Sequence, residues 1–175
     1  MDLDIAFVSH VGRWRSENQD YFLSLPSKNI FAVADGMGGL AEGSTASRLA
    51  CKAFSYQADH NTFNLPSYFE QAHNMILKLA EQKGLVHNQI GTTGVVLRID
   101  TEKDDFTVCW CGDSRLYHFN ALTQNLEQVT IDHSYVQNLV NQGIITQEQA
   151  EQHPQKNIIT NALGIGGPTI KTSTC

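Results

Sequence analysis

No apolar run in the 175-residue sequence approaches the roughly 20 residues that a membrane-spanning helix needs. The opening, MDLDIAFVSH, also lacks the basic and apolar regions of a secretory signal, so the cytoplasm is the expected compartment. Basic residues are in deficit: 12 Lys and Arg stand against 18 Asp and Glu, giving a net charge of -6. That balance excludes a general affinity for nucleic acid or an anionic membrane, and any phosphate-handling site must be local. Cysteine is scarce as well. Of Cys51, Cys109, Cys111 and Cys175, only Cys109 and Cys111 are near neighbours, and a two-residue step on a strand is not zinc-ligand spacing. Buried free thiols are the expectation, without disulfides. Repeats, low-complexity tracts and Pro-rich linkers are absent too, which leaves no reason to divide the chain, and residues 1–175 read as one domain.

Hydrophobic residues make up 41% of the chain, enough for an ordinary core. Ile5–His10, Tyr21–Leu25 and Ile30–Ala34 are short apolar runs separated by turn-forming residues, and read as successive strands. From Ser44 the period changes: Ala46, Leu49, Ala50, Ala53 and Phe54 form the stripe of a first helix. A second is predicted to start at Ser67, which has capping-box spacing to Glu70, to carry Phe69, Ala72, Ile76, Leu79 and Ala80, and to end at Lys83 and Gly84. Alternation then returns in Val95–Ile99, Phe106–Trp110 and Leu116–Phe119, with a hairpin turn at Lys103–Asp105. Two helical turns follow: Tyr135–Gln142, closed by Gly143, and Gln147–Gln152, opened by a Thr146/Gln149 capping box. They read as a surface excursion. A last strand is expected at Thr169–Thr174. Blocks of hairpin-like strands with helices between them argue for a layered α+β fold rather than parallel βαβ units.

Chemistry concentrates in three segments. In FAVADGMGGLAEG, Phe31–Gly43, a strand runs into Asp35 and then four glycines within eight residues. A flexible turn or a nucleotide phosphate loop would use such glycines. A carboxylate placed before them, however, repels bare phosphate and suits a hard divalent cation. RSENQD, Arg15–Asp20, combines an arginine with acidic and amide side chains, and is also compatible with a solvated turn. CGDSR, Cys111–Arg115, puts Asp113 in what is equally an ordinary Gly-Asp-Ser turn. His133 and His153 are candidate bases or ligands, though a single histidine near a turn is more often structural.

Taken in order, RSENQD, VADGMGGLAEGSTAS, GTTGVVLRI, CGDSRLYHF and IDHSYVQNLVNQGIITQEQAEQHPQKNIITNALG resemble the successive motifs of bacterial type 2C metal-dependent serine/threonine protein phosphatases, and they span nearly the whole chain. The resemblance implies a four-layer fold: a β-sandwich of two antiparallel sheets flanked by helices. It also implies two Mn²⁺ or Mg²⁺ ions, with a possible third, and hydrolysis of phosphoserine and phosphothreonine in proteins modified by a cognate kinase. Carried over by residue, Asp35 bridges the two metals, the Gly36 carbonyl holds one, Asp20 acts through water, and Asp113 belongs to a third metal site. Arg15 grips the substrate phosphate. Ser134–Gln152 corresponds to the flap beside the cleft, which affects substrate choice.

Three departures accompany the match. Gln19 stands where an acidic residue is common, and Leu40 where bacterial members carry histidine. The family's later Ser-Asp-Gly and Asp-Asn segments, whose aspartates complete the first metal's shell, have no counterpart in the sequence. The expectation is therefore a C-terminally truncated phosphatase whose sheets have lost strand partners. A catalytically inactive phosphoprotein-binding module is the alternative, and nucleotide binding through the glycine loop a weaker one.

Overall fold

The computed structural model describes residues 3–37, 42–60, 64–85 and 89–174. Among the described residues, seven strands and four α-helices follow one another: β1 (Asp20–Leu25), β2 (Ile30–Asp35), α1 (Gly43–Asp59), α2 (Leu65–Gln82), β3 (Gly94–Asp100), β4 (Asp105–Cys111), β5 (Tyr117–Asn120), β6 (Asn125–Gln128), α3 (Tyr135–Asn141), α4 (Gln147–Gln152) and β7 (Lys171–Thr174). A five-stranded sheet runs in the order β1-β2-β3-β4-β7, every pairing antiparallel, and β5-β6 form a separate antiparallel hairpin. The fold is α+β with antiparallel sheets, as the sequence pattern requires.

Alternation decides which face of the large sheet is covered. Ile30, Ala32 and Ala34 point to the side where Val96, Cys109 and Cys111 join the stripes of α1 and α2 in one buried cluster. Phe54 and Phe69 are fully buried there, with ring centroids 5.0 Å apart. Each such side chain stabilises the fold by about 1.5–3 kcal/mol on burial. Cys51, Cys109 and Cys111 are free thiols inside this core, and burial pushes their pKa values up to about 12, 11 and 12. Cys175 lies outside the described residues. On the opposite face Val95, Val108 and Trp110 pack with Leu116 and Val129, the residues flanking the β5-β6 hairpin. Val33 on that face remains 46% exposed.

Two expectations need correction. Ile5–His10 is not a strand: it forms no ladder, and instead Phe7 lays its ring 4.4 Å from that of Phe22 on β1. Apolar alternation supplies side-chain contact, but a strand also needs a neighbouring edge to take its backbone bonds. Nor does Ser67 open α2. The helix starts at Leu65 with Pro66 in its first turn, where proline's missing N–H costs nothing, and the Ser67 hydroxyl donates to the Asn64 carbonyl at 2.7 Å. The other local signals hold. Gly84 has φ +64° just past α2, Asp104 has φ +54° in the β3-β4 turn, and Thr146 and Gln149 form the reciprocal capping box of α4. No helix among the described residues is long and apolar enough to cross a membrane.

Candidate active site

The antiparallel register of β1 and β2 sets Asp20 directly opposite Asp35. Two like charges facing each other across a ladder are destabilising, so the backbone must be held there by other bonds. It is. The Asp35 N–H donates to Thr93 Oγ1 at 3.0 Å, and its carbonyl accepts from the Thr93 N–H at 2.9 Å and the Thr92 hydroxyl at 2.8 Å. Both threonines are fully buried. Thr93 Oγ1 also lies 2.6 Å from Ser114 Oγ, which joins the end of β2 to the turn that carries Asp113.

Gly36 continues the strand by donating its N–H to the Gln19 carbonyl at 3.0 Å, and the Ser47 hydroxyl of α1 donates to the same carbonyl at 2.6 Å. A Cβ on Gly36 would stand 2.2 Å from the Gly43 carbonyl oxygen, so only glycine allows α1 to begin this close to the strand end. Gly38, Gly39 and Leu40, from the middle of the glycine-rich segment, lie outside the described residues. The Asp20 N–H donates to Asn18 Oδ1 at 3.1 Å, an Asx-type turn that delivers RSENQD into β1.

These elements border a cleft of about 510 Å³ lined by Arg15, Glu17, Asn18, Gln19, Asp20, Asp35, Gly36 and Asp113, together with Val11, Met37, Asn157 and Ile159. All five positions singled out from the sequence, Arg15, Asp20, Asp35, Gly36 and Asp113, therefore meet in one place. Burial raises the Asp35 pKa to about 6, assisted by the Asp20 charge, a hydrogen bond between the two carboxyl groups and the Asp113 charge, with Arg15 pulling the other way. Asp113 is also raised, by burial first and then by Asp132, against Arg115. Arg15 forms no ion pair among the described residues, which leaves its guanidinium for another anion.

His133 and His153 do not reach the cleft. His133 Nδ1 accepts the Gly112 N–H at 3.1 Å, and His153 Nδ1 accepts the Gln155 N–H at 3.1 Å just after α4. Both histidines are structural. Sequence reasoning missed Thr93 and Ser114, which carry no charge or periodic signal, although GTTG was visible as a motif. It also missed Asn157 and Ile159, which line the cleft only because the chain returns there after α4.

The donor set fits a hard divalent cation. Every candidate ligand is an oxygen, and Asp35 is raised first by burial and then by the facing Asp20 carboxylate, with only Arg15 acting against them, so the pair is left undercompensated by cationic side chains. Among the described residues no three His, Cys, Asp or Glu side chains close on a single point, so a shell built here would be completed by backbone carbonyl and water.

Comparison with known proteins points the same way. A family model described as protein phosphatase 2C matches residues 9–165. The protein phosphatase PhpP of Streptococcus pneumoniae is 32% identical over 173 residues, covering 93% of this chain and 68% of that protein. The serine/threonine phosphatase PstP/Ppp of Mycobacterium tuberculosis superposes with a TM-score of 0.84 at 28% identity, over 96% of this chain and 71% of that one. The catalytic domain of the serine/threonine protein phosphatase PstP in complex with two manganese ions gives 0.77 at 28% identity, over 95% and 70%. None of these similarities supports an inactive binding module or a nucleotide site.

Proposed function

This chain belongs to the protein phosphatase 2C family, a family of serine/threonine protein phosphatases, and we propose that its own reaction is hydrolysis of phosphoserine and phosphothreonine in proteins at the Asp20–Asp35 cleft. The observation that carries the reading is the enforced opposition of Asp20 and Asp35 beside Asp113, a concentration of negative charge that a fold tolerates when cations neutralise it. Asp20, Asp35, the Gly36 carbonyl and Asp113 would hold Mn²⁺ or Mg²⁺. When bound, such ions lower the pKa of water and offset charge in an in-line displacement at phosphorus.

The chain's own groups do the rest. Arg15, at the cleft wall and without an ion pair among the described residues, grips phosphate oxygens through its planar fork. Thr92 and Thr93 hold the Asp35 backbone so that its carboxylate need not reorganise as charge moves. Val11, Met37 and Ile159 supply apolar wall beside the polar floor, restricting water around the ester. The bond from phosphorus to the Ser or Thr oxygen breaks as the bond to the attacking water oxygen forms; the water gives up one proton and the leaving Ser or Thr oxygen takes one up, so that the products are the free hydroxyl side chain and hydrogen phosphate. The substrates are by this chemistry the products of Ser/Thr kinases. Buried thiols without disulfides suit a reducing compartment, which supports a cytoplasmic setting.

The test is hydrolysis of a phosphothreonine peptide with and without Mn²⁺ by the chain and by Asp35→Asn, with ion stoichiometry from calorimetry. Turnover that requires Mn²⁺ and is lost in the variant is expected. Equal turnover in Asp35→Asn would overturn the assignment.

A further inference from the structure

His133, which has no place in the chemistry of the cleft, sits where three stretches of chain cross. Its N–H donates to the Gly112 carbonyl at 3.0 Å and its Nδ1 accepts the Gly112 N–H at 3.1 Å, a closed pair with the residue immediately before Asp113. Its carbonyl accepts the Thr160 N–H at 2.9 Å, and Asn161 Nδ2 stands 2.8 Å from the same Nδ1. A backbone N–H can only donate, so Nδ1 is the acceptor, and a neutral ring carries its proton on Nε2. The Asn161 amide then faces Nδ1 as a second donor. The imidazole stacks on Trp110, with centroids 6.4 Å apart and planes 21° from parallel, and Trp110 Nε1–H donates to the Ile131 carbonyl at 2.9 Å.

Neither side of this crossing can shift independently. Gly112 has φ +107°, and a Cβ there would stand 2.6 Å from Thr93 Cβ, so the turn is seated on the residue that holds Asp35. One residue before His133, Asp132 is clamped by Arg115 through Nε–Oδ1 at 2.9 Å and Nη2–Oδ2 at 2.7 Å. One residue after it, Ser134 bridges Ile159 and caps α3. Between those two legs runs the excursion that holds α3 and α4, and its returning leg brings Asn157 and Ile159 to the cleft wall.

We infer that His133 is a positioning residue: it ties the outgoing and returning legs of the α3-α4 excursion to the turn bearing Asp113, and so sets where the excursion stands against a bound phosphoprotein. The kinetic part of this inference rests on the phosphatase reading of the cleft, and the structural part does not. His133→Phe keeps a ring on Trp110 but removes the acceptor, leaving the Gly112 N–H and the Asn161 amide without it. His133→Asn returns an acceptor close to the Nδ1 position.

Two readouts test it. Hydrogen exchange in His133→Phe is expected to be about tenfold faster for amides of residues 134–159, on the scale of one to two lost hydrogen bonds, with α1 and α2 unchanged and His133→Asn near the wild type. With turnover, KM for a phosphothreonine peptide rises about tenfold while kcat/KM for p-nitrophenyl phosphate stays within about twofold, as loss of binding contacts remote from the reacting phosphate requires. Exchange that quickens everywhere, or nowhere, overturns the inference, as does an equal effect on both substrates. A chain without turnover would defeat the phosphatase reading alone, and exchange would still decide the role of His133. If His133→Phe does not fold, exchange in the wild type decides: Gly112, His133 and Thr160 amides opening as one group supports the tie, and independent opening refutes it.

Discussion

Asp20 and Asp35 face each other as a cross-strand pair, and burial together with the Asp20 charge pushes the Asp35 carboxyl up from its ordinary 3.8 to about 6. An acid whose pKa is raised by folding binds more protons folded than unfolded between those two values. Unfolding free energy therefore falls as pH rises through that window, and the loss persists above it. In chelator, the melting temperature is expected to drop between pH of about 4 and about 6. Asp35→Asn should flatten that slope and be more stable at neutral pH by roughly 1 kcal/mol, the shift discounted for the water that reaches the carboxylate. Melting curves across pH decide it, and a variant with the wild-type slope refutes the account.

Gly36→Ala is expected to be destabilising by about 2–4 kcal/mol, because backbone atoms rather than a flexible side chain meet the new methyl. Denaturant unfolding measures the loss, and divalent-ion calorimetry should show weakened binding under conditions where the variant is still folded.

Removing the Thr93 hydroxyl leaves the Asp35 N–H without its acceptor and Ser114 without its partner. Thr93→Val should cost about 1–3 kcal/mol although it preserves volume. Thr93→Ser, which retains the oxygen, should recover most of that in the same unfolding experiment.

Much of this architecture was legible in the sequence because it is local. The apolar stripes of α1 and α2 and the Thr146/Gln149 box each lie within a few turns of helix, and the glycine run after Asp35 advertises close backbone approach. What escaped depends on distant chain. Ile5–His10 alternates like a strand yet settles by Phe7 on Phe22, since nothing within the run states whether an edge is available. The bond from Asp35 to Thr93 spans 58 residues, and a threonine that braces a carboxylate looks like any other in a strand. His133 was weighed for the chemistry histidine is known for, while its use here is geometric.

The Arg115–Asp132 pair joins a half-exposed guanidinium to a carboxylate that is 9% exposed. Arg115→Ala leaves that carboxylate with the Gln128 amide as a donor but without its cation, and should cost about 1–3 kcal/mol, less than a fully buried pair because water reaches the arginine side. The double variant Arg115→Ala/Asp132→Ala should fall short of the sum of the single losses, as a double-mutant cycle in denaturant would read.

The three thiols in the core between the helices α1 and α2 and the sheet also give the protein its own reporter. Thiolate is the species that reacts, and Cys51, Cys109 and Cys111 are both sealed from solvent and held far from ionisation. In a Cys175→Ser background an alkylating reagent would find them only when helices and sheet part. The rate of labelling would then time the opening of that interface, and its slowing on addition of Mn²⁺ would express ion binding as protection of a core some distance from the cleft.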